Sequence, residues 1–295
     1  MNELRLSVVV CTHNRPRDLE RCLEALAALE EPAEVIVVDS ASDPPCQKLV
    51  ERYRPLVPAL RLAREETPGL SRARNRGFLE ASAAVVAFVD DDAAPRPDWG
   101  GRVLAAFDAD PRVGCVGGAC VPVFDGERPR WLSDRLLQFA GITALGPHAR
   151  EARSSAEWPF GANMAFRRDV LAQAGPFPES LGREGATLLS GDEGPVIESV
   201  RRLGFTVWLE PSAIVDHSVP VERCTGRYYW RRLWWQGVTR SRGATRPFLL
   251  GIRLSLAAVV RFTAFVLTRD RVFLYRTAES AGFLVDRARL ARRSP

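Results

Sequence analysis

The sequence predicts an α/β protein: an open, mainly parallel sheet flanked by helices, carrying a helical appendage at its C-terminus. Three observations predict it. Short apolar runs alternate with amphipathic stretches through the first 125 residues, and polar residues gather at the carboxyl ends of those runs. Near residue 224 the chain changes to long arginine-rich segments of helical pattern. Alternation of strand and helix over this length argues for an open sheet with right-handed crossovers.

The runs LSVVVC (6–11), EVIVVD (34–39), ALRLA (59–63) and AVVAFVD (84–90) are short and rich in β-branched residues, as strands buried on both faces are. Arg17–Leu29 reads as a helix between the first two, with Leu19, Cys22, Leu23, Leu26 and Leu29 at helical spacing. In the middle third, WPFGANMAFRR (158–168) reads as a loop and strand entering a helix at Asp169. Gly191–Leu203 reads as a helix opened by acids, followed by the strand FTVWLE (205–210) and a short run ending at His217. Segments 226–242, 247–267 and 271–293 read as three helices, punctuated between Gly243 and Pro247 and at Arg269-Asp270.

The formal net charge of +5 hides a division. Residues 1–220 sum to −7 and residues 221–295 to +12, so an acidic body is joined to a basic tail that suits an anionic partner. The composition, 46% hydrophobic and 26% charged, excludes disorder, collagen and a disulfide scaffold. Six cysteines without paired metal-ligand spacing read as buried reduced thiols of a cytosolic protein. The N-terminus has no basic segment leading into a long apolar one, so the chain is not expected to be secreted.

The sharpest chemical signal is Asp90-Asp91-Asp92 after a wholly apolar run. Three adjacent carboxylates repel one another, and a divalent cation or several donors would compensate. Parallel sheets bind ligands beyond the carboxyl ends of their strands, where Thr12-His13-Asn14-Arg15 and Asp39 also fall. A strand-terminal Asp39 could accept a hydrogen bond from a base or ribose hydroxyl, or simply close a turn. In GLSRARNRGFLEAS (69–82), Ser71 can cap a helix whose first turns hold Arg72, Arg74, Asn75 and Arg76. Cations there oppose the helix dipole, so they call for an anion such as a diphosphate or for surface carboxylates. Asp192-Glu193 opens another helix, where acids are favoured by the dipole alone and could equally act as a general base. A lone His217 is more often structural than a ligand.

Taken together, VVVCTHNRPRDLERCLEAL, VIVVDSASD, GLSRARNRGFLEA, AFVDDDAAPRPDW, PFGANMAFRRDVLAQAGPF, GDEGPVIESVRRLGF and EPSAIVDH, in this order, resemble the family 2 glycosyltransferases, inverting enzymes of GT-A fold. The resemblance covers about residues 5–245 and implies a catalytic domain over 1–223 with a basic, Trp/Arg-rich helical region over 224–295. It implies that Asp90-Asp91-Asp92 is the DXD motif, with Asp92 on Mg²⁺ or Mn²⁺, Asp90 near the donor ribose and Asp91 beside the nucleotide sugar. Thr12, Asn14, Arg15 and Asp39 would line the nucleotide pocket, Arg74 would face the diphosphate, Asn163 would lie near sugar and acceptor, and His217 would be an additional metal ligand. The family's helix usually opens Glu-Asp, with Asp as the base; here the order is Asp192-Glu193, and both are candidates.

The implied reaction moves a sugar, from a UDP-sugar by preference, to a hydroxyl of a glycan, lipid-linked or other acceptor with inversion. Two other readings are a sugar nucleotidyltransferase, disfavoured because no Gly-rich, Lys-containing loop follows the first strand, and a non-catalytic anion- or membrane-binding protein. Phe248–Leu267 is apolar enough to suggest a span, but Arg253 and Arg261 interrupt it. Arg246, Arg253, Arg261 and Arg269 stay near one helical face, and Tyr228, Tyr229, Trp230, Trp234 and Trp235 cluster upstream. This predicts an interfacial helix on anionic lipid, placing the protein peripherally on the inner face of the cell membrane. The alternative is a helical pair packed on the catalytic domain or on a second subunit of a homodimer. Nucleic acid is excluded because the tail is too apolar between its charges.

Overall fold

The computed structural model describes residues 4–143, 145–183, 185, 187–243 and 247–291. In chain order the elements begin β1 (Leu6–Thr12), α1 (Pro16–Ala27), β2 (Glu34–Ser40), α2 (Gln47–Tyr53), β3 (Leu60–Glu65), α3 (Leu70–Glu80) and β4 (Val85–Asp90). Then come β5 (Ala93–Pro95), α4 (Trp99–Ala109), β6 (Val113–Phe124), α5 (Asp134–Leu137), β7 (Arg150–Glu151), β8 (Asn163–Arg167) and α6 (Arg168–Ala174). The chain closes with α7 (Glu193–Arg202), β9 (Thr206–Val219), α8 (Gly226–Gly243), α9 (Pro247–Thr268) and α10 (Arg271–Ala291). They form two compact units: residues 1–123, 141–180 and 192–218, and residues 124–140, 181–191 and 219–295.

The first unit is a sheet of order β3-β2-β1-β4-β8-β6-β9-β5, with β7 also paired to β9. The strands β3, β2, β1 and β4 run parallel, while β8 runs antiparallel to both β4 and β6. Its central strands are buried on both faces. Val8 and Val10 of β1 pack with Leu19, Leu23 and Leu26 of α1, whereas Val9 joins Ile36, Phe88 and Phe166 in a second cluster. That two-sided burial is why these strands read as continuous apolar runs. The chain winds from β1 outward to β3, then returns to β4 on the other side of β1, so the strand order reverses between β1 and β4. A crevice opens at such a reversal, beyond the carboxyl ends of the strands. Cys11 is level with Asp90 there, and Thr12 with Asp39.

Two local expectations change. Residues 205–210 and the run ending at His217 are one strand, β9. Pro211 survives within it because it falls between Leu209, paired to β7, and Val215, paired to β5. Ser71 is not the cap of α3: Gly69 holds that position, no side chain caps the helix, and Ser71 is its second residue.

In the second unit α8 and α10 pack closely, because a side chain at Gly237 would collide with the Glu279 carbonyl and one at Gly282 with that of Trp234. Tyr229 is fully buried in an aromatic group with Trp131 and Tyr275, at ring separations of 5.7 and 6.0 Å. At least this member of the upstream aromatic cluster therefore builds a core instead of meeting an interface. The arginines of α9 do not share one exposed face either. Arg261 turns inward, donating to the Arg276 carbonyl at 3.2 Å and to Ser280 Oγ at 3.3 Å, while Arg253 is exposed. Arg246, expected on the same face, lies outside the described residues, as do the last two residues of the helix expected over 271–293.

One buried charge fastens the far end of the sheet. Glu34, at the start of β2, accepts hydrogen bonds from Ser7 Oγ (2.5 Å) and from the Ser82 N–H (2.9 Å) and Oγ (3.0 Å), and pairs with Arg61 at 2.8 Å. Burial opposes its charge, but the donors from Ser7 and Ser82 together with Arg61 outweigh it and hold Glu34 below its ordinary value. Glu34→Ala should cost about 1–3 kcal/mol at neutral pH by stranding these donors. Because a lowered carboxylate stabilises the fold only above its unfolded value, the deficit should shrink as pH falls below about 4. Denaturant unfolding of both proteins at pH 7 and pH 3 measures this; an unchanged gap would rule it out.

Candidate active site

The acids Asp90, Asp91 and Asp92 stand where β4 ends, beside the reversal of strand order. Asp91 is turned toward β1: it accepts from Thr12 Oγ1 at 2.8 Å and from Arg15 Nη1 at 3.1 Å. The same Arg15 nitrogen reaches Asp92 Oδ2 at 3.3 Å. Burial and the adjoining Asp92 charge push Asp91 up to about 7, against the pull of Arg15 and Thr12.

His217 arrives from more than a hundred residues away by backbone pairing. The three-residue strand β5 runs antiparallel to β9 with Ala93 opposite His217, and the Ser218 N–H donates to the Asp92 carbonyl at 2.8 Å. His217 Nε2 thereby sits 3.3 Å from Asp92 Oδ1. Asp90, Asp92 and His217 each offer a ligand atom within 4.8 Å of the others. His217 Nδ1 is buried and has no hydrogen-bond partner. Two carboxylate oxygens and an imidazole nitrogen, each within 4.8 Å of the others, fit a divalent cation that accepts mostly oxygen ligands.

The second group of acids is organised by Arg74, on α3. Its Nη1 donates to Asp192 Oδ2 at 2.7 Å and its Nη2 to Asp90 Oδ1 at 3.3 Å, with only 3% of the residue exposed. The guanidinium also lies 5.8 Å from the centre of the Phe177 ring. Burial alone would make this cation easier to discharge, but Asp192 and Asp90 outweigh that and raise it. Gly161 is required opposite, because a Cβ there would collide with the Arg74 guanidinium. Ser71 Oγ donates to the same Asp192 oxygen at 3.2 Å. Asp192 is the N-cap residue of α7, and Glu193 is the helix's first residue. Burial and the Asp192 charge push the Glu193 carboxyl up to about 7, with Arg74 pulling the other way.

The remaining residues separate into two groups. Asp39 is buried, accepting from the N–H groups of Ser42 (2.9 Å) and Cys46 (3.0 Å) and from Arg64 (3.2 Å). Burial opposes its charge, but those donors hold it below the ordinary carboxylate value. Asn14 adopts a left-handed backbone, φ 55°, and its Oδ1 accepts from the Asp43 N–H at 2.8 Å, joining the loops after β1 and β2. Thr12, Asn14, Arg15 and Asp39 therefore line one rim beside the acids of β4. Asn163 does not join them. Its Oδ1 accepts from Trp99 Nε1 at 2.9 Å, and its Nδ2 donates to the carbonyls of Ala119 (3.0 Å) and Ala213 (2.9 Å), so its amide holds the sheet together. Ser71, missed as a site residue, could have been found only by knowing that α3 begins two residues earlier.

The glycosyl transferase family 2 model matches residues 7–175. A glucosyl-dolichyl phosphate glucuronosyltransferase of Haloferax volcanii is 27% identical over 243 residues, spanning 80% of this chain and 76% of its own. The succinoglycan biosynthesis protein ExoM of Rhizobium meliloti is 28% identical over 81% of this chain and 75% of its own. Among solved structures, a mannosyltransferase of Pyrobaculum calidifontis in complex with GDP-Man and Mn²⁺ superposes with a TM-score of 0.64, at 22% identity over 99% of this chain and 88% of that one. The S. aureus protein TarS in complex with UDP-GlcNAc gives 0.58 at 16% identity, over 97% and 92%. The sheet is thus of the GT-A kind, and with the family model matching more than half of its residues, the chain belongs to glycosyl transferase family 2 and is a glycosyltransferase.

Proposed function

We propose that the protein is a metal-dependent, inverting glycosyltransferase that passes a sugar from a nucleotide-diphosphate donor, UDP-sugar first among them, to a hydroxyl of a glycan or lipid-linked acceptor. One observation carries this reading: the Asp90–Asp92–His217 cluster is joined by Arg74 to the Asp192-Glu193 pair, so a cation site and a candidate base stand on either side of one buried guanidinium. Asp90, Asp92 and His217 would hold the ion, and the imidazole favours Mn²⁺ over Mg²⁺. Bound there, the ion would neutralise charge on the departing diphosphate.

The chain's own groups supply the rest. Asp192 is committed to Arg74 and Ser71, which leaves Glu193 as the base of the pair. The acceptor hydroxyl gives its proton to Glu193 as its oxygen attacks the anomeric carbon, and the bond to the diphosphate breaks on the opposite face. That single displacement inverts the centre and needs no enzyme nucleophile. The exposed third of Arg15 and the exposed Asn14 offer the rim on which a nucleotide would rest, with the buried Asp39 fixing the loop beside them. The six cysteines are free thiols, consistent with a reducing, cytoplasmic setting.

A carboxyl raised to about 7 is a base only above that value, so kcat/KM should climb with pH through about 7. Glu193→Gln should lower kcat by about 10²–10⁴-fold and abolish that limb, whereas a variant with undiminished turnover would remove Glu193 from the reaction. Asp92→Asn should cost about 100-fold or more in transfer. In thermal unfolding, UDP with Mn²⁺ should stabilise the parent by about 2.7 kcal/mol at a hundredfold excess over Kd. The Mn²⁺-dependent part of that shift should vanish in Asp92→Asn; its survival would place the cation elsewhere.

A further inference from the structure

We propose that the outer face of α9 lies flat in the surface of an anionic lipid bilayer. Three observations within the second unit carry this. First, the face is mainly apolar along its described length, broken by the hydroxyls of Ser255 and Thr263. Ile252, Leu256, Val259, Val260, Phe262, Val266 and Leu267 are between 46% and 78% exposed, and at 100° per residue they share one side of the helix. Second, the exposed hydroxyls of this helix are satisfied by its own backbone. Ser255 donates to the Gly251 carbonyl (3.0 Å), Thr263 to Val259 (3.1 Å) and Thr268 to Ala264 (2.7 Å), each one turn back. A hydroxyl facing hydrocarbon must be satisfied within its own helix, and these are. Third, the charge is sorted around the face. Arg261 projects to the other side, toward α10, where Glu279 lies within 3.9 Å, while Arg253 and Arg269 stand exposed toward the two ends of the apolar stretch.

Lying flat is favoured over crossing. The helix α10 packs along α9 and carries Arg276, Glu279, Asp286, Arg287 and Arg289, which could not follow it into hydrocarbon. Residues 221–295 carry 16 arginines against four acids, a net +12, so the bilayer that suits them is an anionic one. A second copy of the chain is a poorer occupant, since two copies of a region with a net charge of +12 would repel.

The test is flotation of the full chain with equimolar phosphatidylcholine–phosphatidylglycerol vesicles and with pure phosphatidylcholine vesicles. The chain should float with the anionic vesicles and bind the neutral ones about tenfold less. Leu256→Glu with Val260→Glu, both at sites about two-thirds exposed, should reduce flotation about tenfold while leaving the unfolding midpoint and nucleotide-dependent stabilisation in place. No binding to anionic vesicles, or binding unchanged in the double variant, overturns the proposal. So does a lipid-free dimer by sedimentation that the same double variant splits, because a second copy would then cover this face.

Discussion

A buried guanidinium sets the terms for the active-site region. Arg74 is almost wholly withdrawn from water, and a charge so placed is tolerable only when paired and hydrogen-bonded. Its two arms take one carboxylate from the end of β4 and one from the start of α7. These elements belong to opposite parts of the sequence, so the ion pairs fix the distance between them. The absence of a side chain at Gly161 gives the guanidinium its room. More carboxylates converge here than Arg74 and Arg15 can neutralise, and the surplus negative charge is what a cation and a proton would satisfy.

Much of this was legible from residue order. Strands that end in Thr12, Asp39 and Asp90 announce themselves, because a two-faced strand must be apolar until it reaches the sheet's edge and polar where it emerges. What sequence could not decide was the division of labour between Asp192 and Glu193. Both satisfy a helix dipole equally, and only the direction from which Arg74 approaches distinguishes them. Asn163 misled for the same reason in reverse: a polar residue in a glycine-containing loop looks available, yet three partners from distant elements consume its amide. Residue pattern alone read His217 as structural, and only the family resemblance set it with Asp92, because Ala93–Pro95 is too short to carry a strand signal.

The basic tail shows how a charge count can be right in sum and wrong in distribution. Seen along one helix, its arginines form a row. In the fold, Arg240 and Arg261 converge on Glu279, which is 2% exposed, and Arg271 lies over the ring of Trp131 at 5.2 Å. Part of the positive charge is therefore spent on holding the helices together. That leaves an exposed, mainly apolar strip on α9 from which Arg261, an interruption of the linear run, is turned away.

The pairing of β5 with β9 has an evolutionary consequence. It defines the position of His217 by ladder register, independently of the length of chain that runs between the two strands. Length changes confined to the loops of that stretch, outside β6, β8 and α7, would leave the cluster of Asp90, Asp92 and His217 intact. A slip of one residue within β9 itself would instead present Asp216 or Ser218 and point the imidazole to the opposite face. The register of β9, not the length of those loops, therefore decides where the imidazole stands.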